Sequence, residues 1–253
     1  MSLTTHARAL SGLAAVLVSL VAGCSGNSPA QPDANEDVAA RLAAARTGLD
    51  EATSLQIRLV SDNLPDGTVG LVEAAGVGNH DPAFEGVVTV VSGGLGQVDA
   101  DLVSVRGQVE AKIGFVPTYA PIDPDDYGAP DPAELLDTQH GVSSWLTSTE
   151  KPMAGDESRD GEDILTTVSG TLPGAVVRQL IPTADRASDF EVTYRLTDGE
   201  TLRDAAVTGP FYPGGADVTY DLTVTASDEA VDIVLPSESG AETGAASAGD
   251  VGA

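Results

Sequence analysis

The stretch VDADLVSVRGQVEAKIGF, residues 98–115, alternates apolar and polar side chains on either side of the dipeptide Arg106-Gly107. Side chains of a strand point alternately to its two faces, and a short turn signal between two such runs favours a hairpin. The stretch therefore predicts two antiparallel strands that share one apolar face. The apolar positions, which we expect on the inner face of a sheet, are Val98, Ala100, Leu102, Val109, Ala111, Ile113 and Phe115.

Strand patterns recur on both sides of this hairpin and are interrupted by short helical patterns. Further strands are predicted at residues 55–59, 84–91, 164–168, 190–196, 202–207 and 218–224. Helices are predicted from Asn35 or Asp37 to Leu49, after Asp131-Pro132, at 142–146 and at 175–181. About eight to ten strands with three or four helices indicate an α+β fold built on a large antiparallel sheet.

The beginning of the chain has the form of a secretory signal. Arg8 precedes an apolar run from Leu10 to Val21, whose 12 residues are too few to span a bilayer as a stable helix. The run ends in Val21-Ala22-Gly23-Cys24, and Cys24 is the only cysteine. This tetrapeptide resembles the lipobox of bacterial lipoproteins, in which the cysteine is acylated and becomes the new N-terminus. We therefore expect a lipid anchor at Cys24, on the extracytoplasmic face of the cell membrane.

Composition divides the chain into four parts. Residues 1–23 are predicted to be a lipoprotein signal peptide, and residues 24–36 the acylated cysteine and a flexible tether rich in polar residues. Residues 37–236 contain no Pro/Ser-rich linker and are predicted to form a single domain. Residues 237–253, which are mainly Gly, Ala, Ser and acids, are predicted to be a disordered tail.

The charge of the chain limits its partners. It has 39 acidic and 12 basic residues, which gives a net charge of −27. Phosphate groups require a basic surface, so nucleic acid is excluded as a partner and docking on anionic lipid headgroups is disfavoured. Hydrophobic residues make up 42% of the chain and aromatic residues only 4%. The interior is therefore aliphatic, which suits alkyl chains better than sugars.

No motif in the sequence indicates catalysis. It contains no G-x-S-x-G, Gly-rich phosphate loop or H-E-x-x-H, and His80 and His140 lie in predicted loops. Asp123, Asp125 and Asp126 could bind a cation, but prolines interrupt the loop form that calcium requires. We interpret this segment as an acidic, turn-rich loop. The sequence therefore predicts no enzymatic activity, no cofactor and no metal.

The apolar inner face of the predicted sheet must be shielded from water by other parts of the chain. Because the predicted helices are few and short, part of this face lines either an apolar cavity or a normally packed core, and the residues alone leave both open. An apolar cavity would stay free of water and could accept a hydrophobic ligand.

Several segments, together with the lipobox, carry a resemblance to a known family. They are LVEAAG (71–76), GLGQVDADLV (94–103), PIDPDDYGAPDPAELL (121–136), TTVSGTLPG (166–174) and VTGPFYPG (207–214). In this order they resemble the LppX/LprG-type (LppX_LprAFG) lipoproteins of mycobacteria and other actinobacteria, over nearly all of the predicted domain. No single segment is diagnostic, and the specificity comes from their combination.

This resemblance implies a half-open β-barrel, a curved antiparallel sheet with a few helices on its concave side that enclose an apolar cavity. It implies that the 37–236 domain binds the acyl chains of a lipid or lipoglycan and carries them across the cell envelope, in some members beside a membrane exporter. Val87 and Val91 are favoured as lining by alignment with the family. The returning sheet and the short helix are expected to add Phe190, Val192, Tyr194, Val176 and Leu180.

One position departs from the family, because many relatives have an aromatic residue where this chain has Glu110. We expect Glu110 to face solvent, so that the lining survives without that aromatic contact. A lipid-carrier lipoprotein is the first hypothesis. The alternative is a non-enzymatic accessory lipoprotein that scaffolds an exporter or envelope complex, and a hydrolase is disfavoured by the missing motifs.

Overall fold

The computed structural model describes residues 34–92, 96–214 and 216–238. The predicted signal peptide (1–23), Cys24, the tether as far as residue 33 and residues 239–253 of the predicted tail lie outside the described residues.

One antiparallel sheet organises the described part of the chain, and it contains eleven strands. They are β1 (Ser54–Val60), β2 (Gly70–Asn79), β3 (Ala83–Ser92), β4 (Gly96–Val105), β5 (Gln108–Ile113), β6 (Ala120–Ile122), β7 (Glu150–Asp160), β8 (Asp163–Pro173), β9 (Asp189–Thr197), β10 (Leu202–Gly209) and β11 (Val218–Ser227). Their order across the sheet is β6-β5-β4-β3-β2-β1-β11-β10-β9-β8-β7.

The first and last strands meet at the centre of the sheet, where Ile57 of β1 lies opposite Val224 of β11. From this seam, β1 to β6 run outward as one meander and β11 to β7 as another, so β6 and β7 form the two edges. The sheet is curved and does not close on itself. The predicted α+β fold with a large, half-open antiparallel sheet is therefore confirmed.

The hairpin predicted within residues 98–115 is formed by β4 and β5. Val105 lies opposite Gln108, and the two residues between them have positive φ angles of 50° at Arg106 and 80° at Gly107. Two left-handed residues form the tight turn whose twist matches that of the flanking strands. The second strand ends at Ile113, however, so Phe115 lies outside the sheet.

Helices cover one face of this sheet, called the inner face below. They are α1 (Ala34–Asp50), α2 (Val142–Ser148), α3 (Gly174–Leu180) and two 3₁₀ helices, at Pro124–Tyr127 and Pro132–Leu136. The predicted apolar face of the first helix is confirmed, since Val38, Leu42, Ala45 and Leu49 are all buried. The helix begins at Ala34, so Asn35 and Asp37 lie within its first turn rather than at its cap.

The half of the inner face formed by β8 to β11 is tightly packed. The rings of Phe190 and Phe211 meet edge to face at 4.8 Å, and Phe211 meets Tyr220 in the same way at 5.0 Å. A Cβ atom added at Gly209 would overlap the Phe190 ring. Aromatic pairs in this geometry add stability beyond the area that they bury.

The opposite, outer face is crossed by residues 229–238, called the C-terminal strap below. The Ser54 hydroxyl donates to the Glu229 carbonyl at 2.8 Å, and Ile233 and Leu235 join a small apolar cluster that includes Val103 on β4. Val103 follows Leu102, whose side chain is on the inner face, so this cluster lies on the outer face. Ser237, one residue beyond the predicted domain bounds of 37–236, also contacts this face.

Glu110 holds the end of this strap, and the expectation that it faces solvent is wrong. Its carboxylate is buried and accepts hydrogen bonds from the Ser237 backbone N–H at 3.1 Å and from the Ser237 hydroxyl. Glu110 points to the outer face as its alternation requires, but the strap covers that part of the face. A buried carboxylate needs such donors, because an unpaired buried charge is costly.

Candidate functional site

An apolar cavity of about 200 Å³ lies between the inner face of β2 to β5 and the chain segment that follows β5. Its floor is formed by side chains that alternate along the strands, namely Leu71, Ala74, Val88, Val90, Ser92, Val98, Ala100, Leu102 and Ile113. Its roof is formed by Ile122, Pro124, Tyr127, Ala129, Pro130, Pro132 and Leu135.

Strand pairing brings the floor residues together from distant parts of the sequence. Val90 lies opposite Leu71 on one side and opposite Val98 on the other. Val88 lies opposite Ala74 and Ala100 in the same manner. These pairs form two apolar rows across three strands, which gives the cavity a continuous aliphatic floor.

Local turn chemistry shapes the roof, which we define as residues 120–136. The Asp123 side chain caps the first 3₁₀ helix by accepting from the Asp125 N–H at 3.1 Å, and Gly128 ends that helix with a φ of 65°. Asp131 caps the second 3₁₀ helix by accepting from the Ala133 N–H at 2.9 Å, and it also accepts from the Ser104 hydroxyl at 2.5 Å. This last bond attaches the roof to β4.

The cavity is almost purely hydrophobic. Among its lining residues only Ser92 and Tyr127 have a polar side-chain atom, and none carries a charge. An apolar cavity of about 150 Å³ stays dry and binds small apolar ligands, so this cavity should do the same. Its chemistry suits alkyl groups, and its present volume suits only a short length of chain.

The exposure of the lining residues locates the mouth. Leu71, Val88, Leu102 and Leu135 are buried, whereas the lining residues Ser92, Val98, Ile113, Ile122 and Pro124 are partly exposed. Ser92 ends β3, Ile113 ends β5, and Val98 is close to the start of β4. The mouth therefore opens at this end of the strands, and the cavity closes toward Leu102.

A second, smaller void of about 30 Å³ lies deeper, beneath α2 and α3. It is bordered by Ile57, Leu59, Leu135, Val142, Trp145, Ile181, Val207, Phe211, Tyr220 and Leu222. Leu135 borders both voids and is the one residue that their linings share. Movement of this single side chain, on the second 3₁₀ helix of the roof, would bring the two spaces into contact.

Two tyrosines fix the floor at Leu71, close to the seam of the sheet. The Leu71 N–H donates to the Tyr212 hydroxyl at 3.1 Å, and the Tyr220 hydroxyl donates to the Leu71 carbonyl at 2.8 Å. The two hydroxyls are 2.5 Å apart, so Tyr212 donates to Tyr220 and completes a ring of hydrogen bonds. Burial and the neighbouring Tyr212 raise the pKa of Tyr220, which keeps this ring protonated.

His80 connects the roof to α1 and is not the solvated loop histidine expected from the sequence. Its Nδ1 lies 2.8 Å from the Leu136 carbonyl oxygen and its Nε2 lies 3.0 Å from the Leu49 carbonyl oxygen. Both carbonyls are near helix ends, where orphan carbonyls need donors. The ring is therefore a structural tie and not a catalytic group beside the cavity.

Of the residues predicted to line a cavity, the structure places Val98, Ala100, Leu102 and Ile113 in its wall. Val109 and Ala111 are buried in the same core, but they do not border the cavity. The lining residues that the sequence did not predict are Val88, Val90 and Ser92 on β3, Leu71 and Ala74 on β2, and the whole roof.

The two lining residues predicted on β3, Val87 and Val91, are wrong. The residues of β3 that line the cavity include their neighbours Val88 and Val90. Val87 is 46% exposed and lies on the outer face, and Val91 shares that face because the two are four residues apart in one strand. Phe84 is buried on the inner face, which places Val88 and Val90 there as well. Both faces of this strand are apolar, so the sequence pattern could not distinguish them.

The other predicted lining residues also lie away from the cavity. Phe115 follows the end of β5 and is fully exposed. Leu180, Phe190, Val192 and Tyr194 are buried, and Val176 is half-buried, in the packed core beneath α3. Helices α2 and α3 fill the space over β8 to β11 except for the void of about 30 Å³, so the larger cavity is confined to the β2–β5 half.

The described residues contain no group of three or more His, Cys, Asp or Glu side chains that could hold a metal ion. None of the helices in the described part of the chain is long and apolar enough to cross a membrane.

Comparison with known proteins agrees with this architecture. A family model described as LppX_LprAFG lipoprotein matches residues 37–233. LprF from Mycobacterium bovis has a similar crystal structure, with a TM-score of 0.63 and 15% identity over 79% of this chain and 97% of that chain. The lipoprotein LppX from Mycobacterium tuberculosis gives a TM-score of 0.57 and 16% identity over 79% of this chain and 100% of that one. No curated protein matches the sequence.

These structural likenesses show the fold alone, because the identities are low. The family model, in contrast, spans well over half of the sequence and almost the whole of the described region. The resemblance noted in the sequence is confirmed, and the chain belongs to the LppX_LprAFG lipoprotein family.

Proposed function

We propose that this protein is a membrane-anchored carrier that binds acyl chains of envelope lipids or lipoglycans in the cavity beneath the roof and moves them across the cell envelope. The observation that carries the proposal is the uncharged, aliphatic lining of a cavity that opens at one end of the strands. Burial of each methylene of an acyl chain contributes about 0.8 kcal/mol, so such a lining is sufficient for affinity.

The cavity must enlarge to take a long chain. At about 200 Å³ it holds only part of one. The part of the roof that follows β6 supplies the means, because residues 123–136 form turns and two short 3₁₀ helices that are not paired with the sheet, and Asp131 joins them to β4 through Ser104. Displacement of Leu135 would add the deeper void of about 30 Å³. We infer that cargo binding lifts the roof and displaces Leu135.

The carrier needs neither a catalytic group nor a cofactor. The lining offers an acyl chain no charged side chain, and its hydroxyls at Ser92 and Tyr127 have no base among the other lining residues. General acid–base or nucleophilic chemistry requires such a partner within hydrogen-bond distance. Binding and release without chemical change is therefore the activity that we assign.

The anchor at Cys24 would hold the domain on the outer face of the cell membrane, within reach of a lipid donor or an exporter. An acylated cysteine at the start of the predicted tether, whose bounds of 24–36 overlap the first residues of α1, would give the domain freedom to approach the bilayer.

A second candidate is favoured by the small volume of the cavity. A domain whose cavity is vestigial could act as a scaffold for an exporter or envelope complex without carrying lipid. Native mass spectrometry of the chain purified from its own host separates the two functions. A carrier gives additional mass that organic solvent removes. A scaffold gives the mass of the bare chain, and that result would refute the carrier proposal.

A further inference from the structure

Phe115 is the exception among the phenylalanines of this protein. It is fully exposed, at 105% of the reference area, whereas Phe84, Phe190 and Phe211 are at most 1% exposed. Its neighbour Val116 is 53% exposed. Two adjacent large apolar side chains in water are unfavourable, and exposed apolar surface of this kind marks interaction sites.

The turn that carries these side chains is held in place by backbone hydrogen bonds. The Val116 N–H donates to the Ile113 carbonyl at 3.1 Å, and the Gly114 N–H donates to the Asp99 carbonyl at 2.9 Å. Gly114 has a φ of 58°, a left-handed conformation that glycine adopts without strain. Residues 113–116, called the apolar turn below, therefore project from the end of β5 in a defined conformation.

The apolar turn lies at the mouth of the cavity. Ile113 itself lines the cavity, and it pairs with Ala100 on β4. The Gly114 N–H donates to the carbonyl of Asp99, which follows Val98, the partly exposed lining residue at the mouth, so the turn leaves the sheet beside the mouth. A surface in contact with Phe115 would therefore also face the opening through which an acyl chain passes.

The charges around the mouth select the kind of surface. Lys112 forms an ion pair with Asp101, and the sequence contains no further Lys or Arg before Lys151. Asp125 and Asp126 lie on the first 3₁₀ helix of the roof, whose Pro124 lines the mouth. The carboxylates of Asp125 and Asp126 repel an anionic surface, and Lys112 is already paired with Asp101 and so is not a free partner for headgroup phosphates.

We propose that the apolar turn inserts Phe115 and Val116 into the interface of an electrically neutral, zwitterionic bilayer and so places the cavity mouth on the lipid surface. This docking site rests on the proposed carrier function and gives it a mechanism of uptake. An acyl chain then passes from bilayer to cavity past Ile113 without crossing water, which removes the cost of exposing its methylenes.

The first test is the depth of residue 115 in a bilayer. The Phe115→Trp variant of the full chain is reconstituted in phosphatidylcholine vesicles whose acyl chains are brominated, and tryptophan fluorescence is measured. We expect quenching of the tryptophan introduced by this substitution. Because the native Trp145 borders the deeper void that cargo is proposed to enter, quenching of the variant is measured relative to that of the wild type. Val87→Trp places a tryptophan on the exposed outer face and should show no quenching beyond that of the wild type.

The second test is the rate of lipid uptake. Phe115→Ser should slow the transfer of a fluorescent acyl lipid from phosphatidylcholine vesicles about tenfold or more, because the insertion loses a buried phenyl group. Its thermal stability and its binding of the same lipid from detergent solution should equal those of the wild type, because the Phe115 side chain is fully exposed. Inclusion of phosphatidylglycerol in the vesicles should slow transfer further.

The outcomes separate the docking site from the carrier function. If the Phe115→Trp variant shows no quenching beyond that of the wild type, or if Phe115→Ser takes up lipid from vesicles as fast as the wild type, the docking proposal is overturned. The same negative results are expected if the apolar turn contacts a partner protein and not a bilayer. If the wild type binds lipid neither from vesicles nor from detergent, the carrier function itself fails.

Discussion

The ring of Phe84 occupies the space that a side chain at Gly76 would need. A methyl group added at Gly76 would overlap the Phe84 Cζ atom, and one added at Gly86 would lie 2.8 Å from the same atom. Phe84 and Gly86 lie on β3, and Gly76 lies on β2. Because neither glycine has a side chain, the Phe84 ring packs directly against their backbone atoms. This contact fills the inner face beyond Leu102, at the closed end of the cavity.

Gly76→Ala should therefore destabilise the protein by about 1–3 kcal/mol or more, as expected for overpacking of a full interior. The new methyl group would also overlap the Glu85 carbonyl oxygen, and backbone cannot move aside as a side chain can. Urea unfolding measures the change. Gly48→Ala is the matched control, because nothing lies within 4 Å of its Cβ position in α1. It should stabilise the chain by about 0.5–1 kcal/mol. Equal stability of the two variants would contradict this account.

The size and the exposure of the side chains on each strand explain which strands the sequence could predict. β4 and β5 were predictable because each alternates apolar with charged side chains. β2 has small residues instead, since Phe84 and Leu136 pack against Gly76 and Gly78 and leave no room for larger ones. β7 is an edge strand that is exposed on both faces, so its sequence has no apolar period at all.

The candidate site was predictable only where one face of a strand was polar. Asp99 and Asp101 oriented β4 correctly and identified Val98, Ala100 and Leu102 as inward residues. β3 has valines on both faces, and its orientation is set by Phe84, which no alternation reveals. The roof was identified only as an acidic, turn-rich loop followed by a helix after Asp131-Pro132, because its contact with β4 through Asp131 and Ser104 is a tertiary feature.

The position of the cavity can be tested with a bulky residue on β3. Val90 lies in the floor and is 8% exposed, so Val90→Trp should fill the void, keep near-normal thermal stability and abolish retention of acyl lipid. In a packed core the same change would cost about 1–3 kcal/mol or more. Thermal unfolding and native mass spectrometry give the two readouts.

Val87→Trp is the control for that experiment, since Val87 lies on the opposite face of the same strand and is 46% exposed. It should change neither stability nor lipid retention. Lipid retained by Val90→Trp, or lost equally from both variants, would show that the acyl chain lies elsewhere.

The C-terminal strap depends on Glu110. Glu110→Ala removes the acceptor for both hydrogen bonds of Ser237, and hydrogen bonds to a charged group contribute about 1.5–3 kcal/mol each. We expect faster hydrogen exchange over residues 229–238 and a loss of about 3 kcal/mol or more in unfolding free energy. Glu85→Ala, at an exposed position of β3, should change neither. Unchanged exchange in the strap would show that Ile233 and Leu235 suffice to hold it.

The anchor prediction concerns residues at the start of the sequence. Cys24→Ala should give an unprocessed precursor or a soluble form, without acylation, because the thiol is the acyl acceptor in a lipobox. Membrane fractionation and metabolic labelling with a palmitate analogue measure both properties. Normal membrane retention with unchanged acylation in the variant would refute the lipobox.

Leu135 should set the length of acyl chain that the protein holds. It borders both the cavity of about 200 Å³ and the deeper void of about 30 Å³, so we expect Leu135→Ala to join the two. Removal of a buried leucine costs about 2–5 kcal/mol of stability. The enlarged space should nevertheless bind longer fatty acids, because more methylenes can be buried without displacement of the roof. Displacement of a fluorescent fatty acid by ligands of increasing chain length measures the optimum.

The neighbouring Leu136 provides the control that separates space from stability. It is also buried and packs against Gly78, but it borders neither void. Leu136→Ala should lose a similar free energy of unfolding by the same mechanism. Its preferred chain length should remain that of the wild type, because the barrier at Leu135 is intact. If the two variants shift the optimum alike, general loosening of the domain, and not the loss of the Leu135 partition, is the cause.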